Sequence, residues 1–186
     1  MLEDLLIRHG APTLAGIKTG NLFPCPYTSK SFFLAEVRQL NHILVPKGVC
    51  LLPLQYVKNR VLVYLFRPGL LKKDLSDHCA IHLLHQAGYQ GTQLSHCLGN
   101  LMQRLRTSSD FPHEIGLFLS YPPEDVQGFI ENRARNFKCV GCWKVYGNEQ
   151  EALKRFAQYK HCTDIYWKHR KEGKGIAELA IAAKTG

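Results

Sequence analysis

Apolar residues recur along the chain at two spacings, one helical and one alternating. Leu2, Leu5, Leu6 and His9 fall at i, i+3, i+4 and i+7, which predicts a short first helix. Phe33, Val37, Leu40 and Leu44 predict a second, stopped by Pro46 and Gly48. Residues 10–26 are rich in Gly and Pro and read as a loop. Residues 49–56 and 61–66 are β-rich and joined by Val57-Lys58-Asn59-Arg60, the signature of a hairpin. Pro53 has no N–H to give a ladder, so its strand is expected at an edge or at a bulge. Residues 70–87 read as one helix closed by Gly88, and Leu94, Cys97, Leu98, Leu101, Met102 and Leu105 line one face of the next. After a linker at 108–112, residues 115–119 read as a strand. Pro123 then suits the first turn of a helix, with Glu124 and Asp125 placed to favour its dipole. Residues 139–146 read as a fourth strand. Ala152, Phe156, Tyr159, Thr163 and Tyr166 define a long helix, and 176–183 a weak terminal one.

One helix between the third and fourth strands makes a βαβ-like unit, which would set them parallel. The expected fold class is therefore α/β. It is a single domain over 1–186 with a small mixed four-stranded sheet flanked by helices. Residues 1–48 form a helical N-terminal segment and 148–186 the C-terminal helices.

Composition narrows the class. Hydrophobic content of 45% is enough for a core in 186 residues. Met1-Leu2-Glu3-Asp4 is too acidic to open a secretory signal, and no run approaches the ~18 apolar residues of a membrane span. A cytoplasmic protein without membrane partners is expected. Seven irregularly spaced cysteines match no disulfide framework, so reduced thiols are expected. The net charge is +9, and residues 132–174 hold eleven Lys/Arg against four Asp/Glu, which favours anionic partners.

Five groups could carry chemistry, and each has a plainer reading. In residues 8–21, Gly10 and Gly16 are one residue too far apart for a P-loop, and Ile17 separates Gly16 from Lys18. Gly16, Gly20 and Asn21 could still turn backbone N–H groups onto an anion, with Lys18 supplying charge; otherwise the stretch is a structural loop. At His113-Glu114, Leu117 stands where a zinc protease has its second histidine, so that motif fails. His113 could serve as acid, base or ligand, or simply bond the neighbouring loop. Cys139-Val140-Gly141-Cys142 invites a metal or redox reading, but on a regular strand its two sulfurs would face opposite ways unless Gly141 bends the chain; otherwise they are buried thiols. His78, His82 and His85 share roughly 60° of one helical face, expected to point inward with Leu71 and Leu75. They could hold a metal or haem, or be polar-edged core. The C-terminal helix mixes Lys154, Arg155, Lys160, Lys168, Arg170 and Lys171 with Phe156, Tyr159, Tyr166 and Trp167, as single-stranded nucleic acid would need, though the aromatic spacing suits a core and no nucleic-acid signature accompanies it.

Residues 111–130 (FPHEIGLFLSYPPEDVQGFI), 139–147 (CVGCWKVYG), Tyr159-Lys160-His161-Cys162-Thr163 and residues 9–18 (HGAPTLAGIK) together resemble a bacterial family of unknown function, catalogued as domain of unknown function thirty-seven ninety-three. The resemblance runs over essentially the whole chain and departs mildly at Ser120. It brings no assigned activity. It implies a genomic association of some members with ferrous-iron uptake or flavodoxin genes, which adds an iron or redox link.

The resulting expectation is a protein that binds a small anionic ligand or cofactor, with haem, iron or flavin as candidates. Its site would combine the loop at 10–21 with the 113 strand end and the helix start at 122–125. His113, Glu114 and His9 are the candidate catalytic groups. Lys18, Thr13, Gly16, Asn21, Tyr121, Glu124 and Lys144 are the candidate ligand contacts, and Cys139, Cys142, His78 and His82 the candidate metal ligands. The rivals are a nucleic-acid module using the basic C-terminal helix, and a small acid–base enzyme using His113 and His9.

Overall fold

The computed structural model describes residues 2–91, 93–108 and 110–183. The chain divides into two compact units. One comprises Met1–Gly69 and His161–Gly186, the other Leu70–Lys160.

The first unit is built on an antiparallel sheet of β1 (Gly20–Pro26), β2 (Cys50–Val57) and β3 (Arg60–Phe66) in the order β1-β3-β2. The expected hairpin is present as β2 and β3. β2 lies at an edge, and its register slips between Pro53 and Gln55, so Pro53 marks both an edge and an irregularity. Helices α1 (Leu2–Leu14) and α2 (Lys30–Leu44) supply most of the remaining core, with Leu2, Leu6, Ile7, Leu14, Phe33, Val37, Leu40 and Leu44 buried with Val61, Val63 and Leu65. A Cβ at Gly10 would collide with Leu65, so this glycine is what lets α1 lie close to β3.

The stretch read as a loop at 10–26 is instead the end of α1 followed by β1. Its prolines misled for a physical reason. Pro24 and Pro26 are exposed on an edge strand, while Phe23 and Cys25 alternate inward.

The second unit is mostly helical. α3 (Pro68–Asp74) opens it, and α4 (His78–Gln86), α5 (Leu94–Thr107), α6 (Ile115–Phe118) and α7 (Pro123–Glu131) follow. Residues 70–87 are therefore two helices rather than one. Asp77 breaks the run and caps α4, its carboxylate accepting from Cys79 N at 2.9 Å and Ala80 N at 3.1 Å. Gly88 closes α4 as expected, at φ 88°.

The expected strand at 115–119 is the single-turn helix α6. A short, wholly apolar run fits a buried strand or a buried helical turn equally well. Here a Cβ on Gly116 would crowd Val126 and Tyr121, and the turn is closed by Ser120 at φ 59°. The expected strand at 139–146 is a tight antiparallel hairpin of β4 (Cys139–Val140) and β5 (Lys144–Val145). No βαβ crossover forms. The fold is mixed α and β, with separate three- and two-stranded sheets in place of one four-stranded sheet. Helix α8 (Glu149–Lys171) then leads to α9 (Ile176–Leu179). Among the described residues, no helix is long and apolar enough to cross a membrane.

Candidate functional site

The second unit holds a cavity of about 300 Å³ walled mainly by apolar and aromatic groups. α6 contributes Ile115 and Gly116, α7 contributes Asp125, Val126 and Phe129, and the β4–β5 hairpin contributes Val140 to Lys144. His113 and Tyr121 complete the polar lining.

The hairpin is locked to α7 by one buried carboxylate. Asp125 accepts from Trp143 Nε1, Tyr146 N and Gly147 N, each at 2.7 Å. Three N–H donors on one carboxylate satisfy a charge that would otherwise be costly to bury. Two glycines permit the approach, because a Cβ on Gly128 would strike Tyr146 and one on Gly147 would strike Glu124. Trp143 stacks on Tyr121 at 4.8 Å and meets Phe156 edge-on at 4.5 Å. The Tyr121 hydroxyl donates to the Cys142 carbonyl at 3.1 Å. Burial, with the nearby Cys142 and Tyr159, pushes its pKa up to about 12, so it remains a protonated donor at neutral pH.

Lys144 is also held in place. Its Nζ donates to the Ala134 carbonyl at 2.8 Å and lies over the rings of Phe137 at 4.8 Å and Phe129 at 5.9 Å. An ammonium has three N–H groups, so donors remain for a second partner. The His113 ring meets Phe129 edge-on at 5.0 Å and is exposed. Its nitrogens make no hydrogen bond to another described residue. Three residues expected at the site, His113, Tyr121 and Lys144, thus converge on one cavity.

A family model described as "Protein of unknown function (DUF3793)" matches residues 6–180. The chain belongs to that family. No curated protein and no solved structure matches it. Every residue lining the cavity falls inside the DUF3793 span, and so does the rest of the expected site.

Glu114 and Glu124 have structural positions in this DUF3793 chain. Buried Glu114 accepts from Arg104 Nε at 2.6 Å and the Tyr89 hydroxyl at 3.0 Å. It lines a neighbouring cleft of about 620 Å³ that carries Arg104 and Asp110 and shares Phe111 and His113 with the cavity. Exposed Glu124 accepts from Asn148 N at 3.3 Å.

The remaining expected contacts lie in the first unit. Lys18 is only 6% exposed and Thr13 is fully buried. The Thr13 hydroxyl donates to Asn21 Oδ1 at 2.7 Å. Gly16 adopts φ 78°. Gly20 and Asn21, expected to turn backbone N–H groups onto an anion, belong to β1, and the neighbouring N–H groups are engaged within the segment. Those of Ile17 and Lys18 both donate to Pro12 O, and that of Gly16 to Thr13 O, so they close the C-terminus of α1. His9 is largely exposed but stacks on Phe23 at 5.3 Å, and the partial desolvation of its ring, then the Arg8 charge, lower its pKa.

Arg67 is the residue the sequence reading missed. It is 4% exposed and donates to the carbonyls of Thr13, Leu14, Ile181 and Lys47. Its one sequence signal is a charge at the end of a strongly apolar strand, Arg60–Phe66.

Among the described residues, no three His, Cys, Asp or Glu side chains are placed to hold a metal ion. His78, His82 and His85 are exposed rather than inward, because the break at Asp77 separates α4 from the face of Leu71 and Leu75; His82 meets Gln86 at 2.9 Å. Cys142 is exposed and Cys139 half-buried. Burial and the neighbouring Glu149 carboxylate push the Cys139 thiol up.

The aromatics of α8 are occupied. Tyr159 and Tyr166 are 7% and 8% exposed, and Trp167 packs on the first core with Arg8 above it at 5.1 Å. Arg170 pairs with Asp4 at 2.8 Å and Glu3 at 3.3 Å.

Proposed function

We propose that the second unit binds a small ligand with a flat apolar body and an anionic group. The observation that supports this is the 300 Å³ cavity, which offers aromatic and aliphatic walls together with Lys144 and His113. Trp143, Phe129 and Val126 suit a planar apolar body. The ammonium of Lys144, fixed by the Ala134 carbonyl, suits an anion, and the imidazole of His113 has hydrogen-bonding nitrogens to offer it. This is the small anionic ligand expected from the sequence, with its site drawn from the second unit. A flavin or another planar acidic cofactor falls within the same chemical class. Turnover is not part of the proposal.

The nucleic-acid reading has less support. The aromatic residues that would stack on bases are packed in cores, and the Arg170 charge is balanced by two carboxylates.

The test is a titration of the full chain with anilinonaphthalene sulfonate, a planar anionic dye. The readout is dye emission and quenching of tryptophan emission in a Trp167→Phe background, which leaves Trp143 as the reporter. We expect one saturable site, weakened about tenfold or more by Lys144→Ala and blocked by Val140→Trp at the exposed lining position. Dye binding that neither substitution alters would remove the cavity as the site.

A further inference from the structure

Next to the cavity the backbone is strained. Arg133, Ala134 and Asn136 all have positive φ, at 49°, 61° and 58°. Asparagine tolerates that region; arginine and alanine do so at a cost. Three such residues within four positions persist only where the surroundings hold them. The hydrogen bonds around them are local and tight. Arg133 N donates to Ile130 O, Ala134 N to Phe129 O, and Arg135 N to Asn132 O.

The turn has a visible consequence. It presents the Ala134 carbonyl to Lys144 Nζ and the Phe137 ring to the same ammonium. Arg133 and Arg135 flank Ala134 in the chain, though neither lines the cavity itself. Successive Cα atoms are ~3.8 Å apart, so Arg133 and Arg135 originate within about 4 Å of the residue that holds Lys144. Both side chains are exposed, and neither has a hydrogen bond or ion pair to another described residue. From Asn132 to Lys138 the turn carries Arg133, Arg135 and Lys138 and no acidic residue. Lys138 is occupied, donating to Gly147 O at 2.6 Å. The two arginines are therefore uncommitted charge beside a committed one.

We propose that the turn at 132–138 is a phosphate clamp for the cavity's ligand, which is accordingly a planar apolar molecule bearing a phosphate. This rests on the ligand-binding reading above and adds the class of its anionic group. A sulfonate or carboxylate carries one charge and is met by Lys144 alone. A phosphate monoester is close to doubly charged at neutral pH, and guanidinium groups match its oxygens in pairs. A phosphate on a membrane lipid would offer the same chemistry to the arginines without using the cavity.

The experiment compares two probes, naphthol and naphthyl phosphate, on the full chain in the same Trp167→Phe background, again read by Trp143 fluorescence. Naphthyl phosphate should bind at least tenfold more tightly than naphthol. In Arg133→Gln/Arg135→Gln that advantage should shrink to threefold or less, with naphthol affinity and thermal midpoint unchanged. Both positions are exposed, so the fold should survive. If naphthol binds and the phosphate adds nothing, or its advantage survives in the double variant, the clamp is wrong while the cavity stands. If neither probe binds and the dye fails too, the cavity reading falls and takes the clamp with it. Vesicles of phosphatidylglycerol and of phosphatidylcholine form the last arm. Arginine-dependent binding to the anionic vesicles, without any preference for naphthyl phosphate, would make the turn a membrane contact and overturn the proposal.

Discussion

Ala134 and Asp125 show how much of the cavity rests on single side chains. Ala134 sits in the left-handed region at φ 61°, which costs an L-residue about 1–2 kcal/mol. Glycine relieves that at a backbone-entropy cost of about 0.5–1 kcal/mol. Ala134→Gly should therefore raise stability by up to about 1 kcal/mol, and Ala134→Val should lower it, as urea midpoints would show. Asp125 is the opposite case. Asp125→Ala strands three N–H donors, including Trp143 Nε1, and should cost on the order of 3 kcal/mol, with a shift in Trp143 emission as the hairpin loosens. His9 gives a pH signature. Its native pKa is lowered from 6.5, first by burial and then by Arg8. A lowered histidine leaves the unfolded chain binding the proton more readily, so its contribution to stability is intact above 6.5 and declines as pH falls from there to the native value. NMR titration of His9 should give a midpoint below 6.5 that rises in Arg8→Gln.

Secondary structure was legible wherever the sequence carried a local physical signal. Glycine at the end of α4, proline in the first turn of α7, Pro53 on an edge strand and the apolar stripe of α5 all act within a few residues, and all were read correctly. The misreadings share a cause. Residues 115–119 are apolar throughout, so they have no polar face to reveal a period, and the close packing of Gly116 on Val126 and Tyr121 is a tertiary contact no local pattern carries. Cys139 to Tyr146 reads as one strand because its residues favour extended backbone. The chain nonetheless reverses within it, Gly141 N donating to Trp143 O at 3.1 Å. Residues 70–87 keep a helical rhythm across a real break, which only the capping carboxylate of Asp77 marks. Asp77→Ala should cost about 1 kcal/mol, measured by thermal unfolding followed at the helical circular-dichroism band.

The molecule is two compact units, each with its own organising polar group. Asp125 serves the second and Arg67 the first. Arg67 gathers carbonyls from the end of α1, from Lys47 and from Ile181, bringing together segments more than a hundred residues apart in the chain. Arg67→Met would leave those buried acceptors without donors and should destabilise by on the order of 3 kcal/mol or more, and lysine should restore only part of it, lacking the planar fork. The cysteines offer an independent check on burial. Cys79 and Cys142 are exposed, whereas Cys25 and Cys97 are buried. Burial raises the thiols of Cys25, Cys50 and Cys97, and that of Cys162 to about 11. Limited alkylation of the native protein near neutral pH, read by peptide mass spectrometry, should therefore modify Cys79 and Cys142 first.

Helical and alternating rhythms, caps and breakers arise from interactions over a few residues, so the order of most elements could be inferred without coordinates, and His113, Tyr121 and Lys144 could be named as candidates. Whether these three share one cavity could not. That depends on Asp125 meeting a tryptophan eighteen positions away, on glycines whose missing side chains admit neighbours, and on a strained turn that presents a carbonyl to Lys144. Such contacts leave no period in a sequence, because they are fixed by packing between segments rather than by the conformational preference of any one of them.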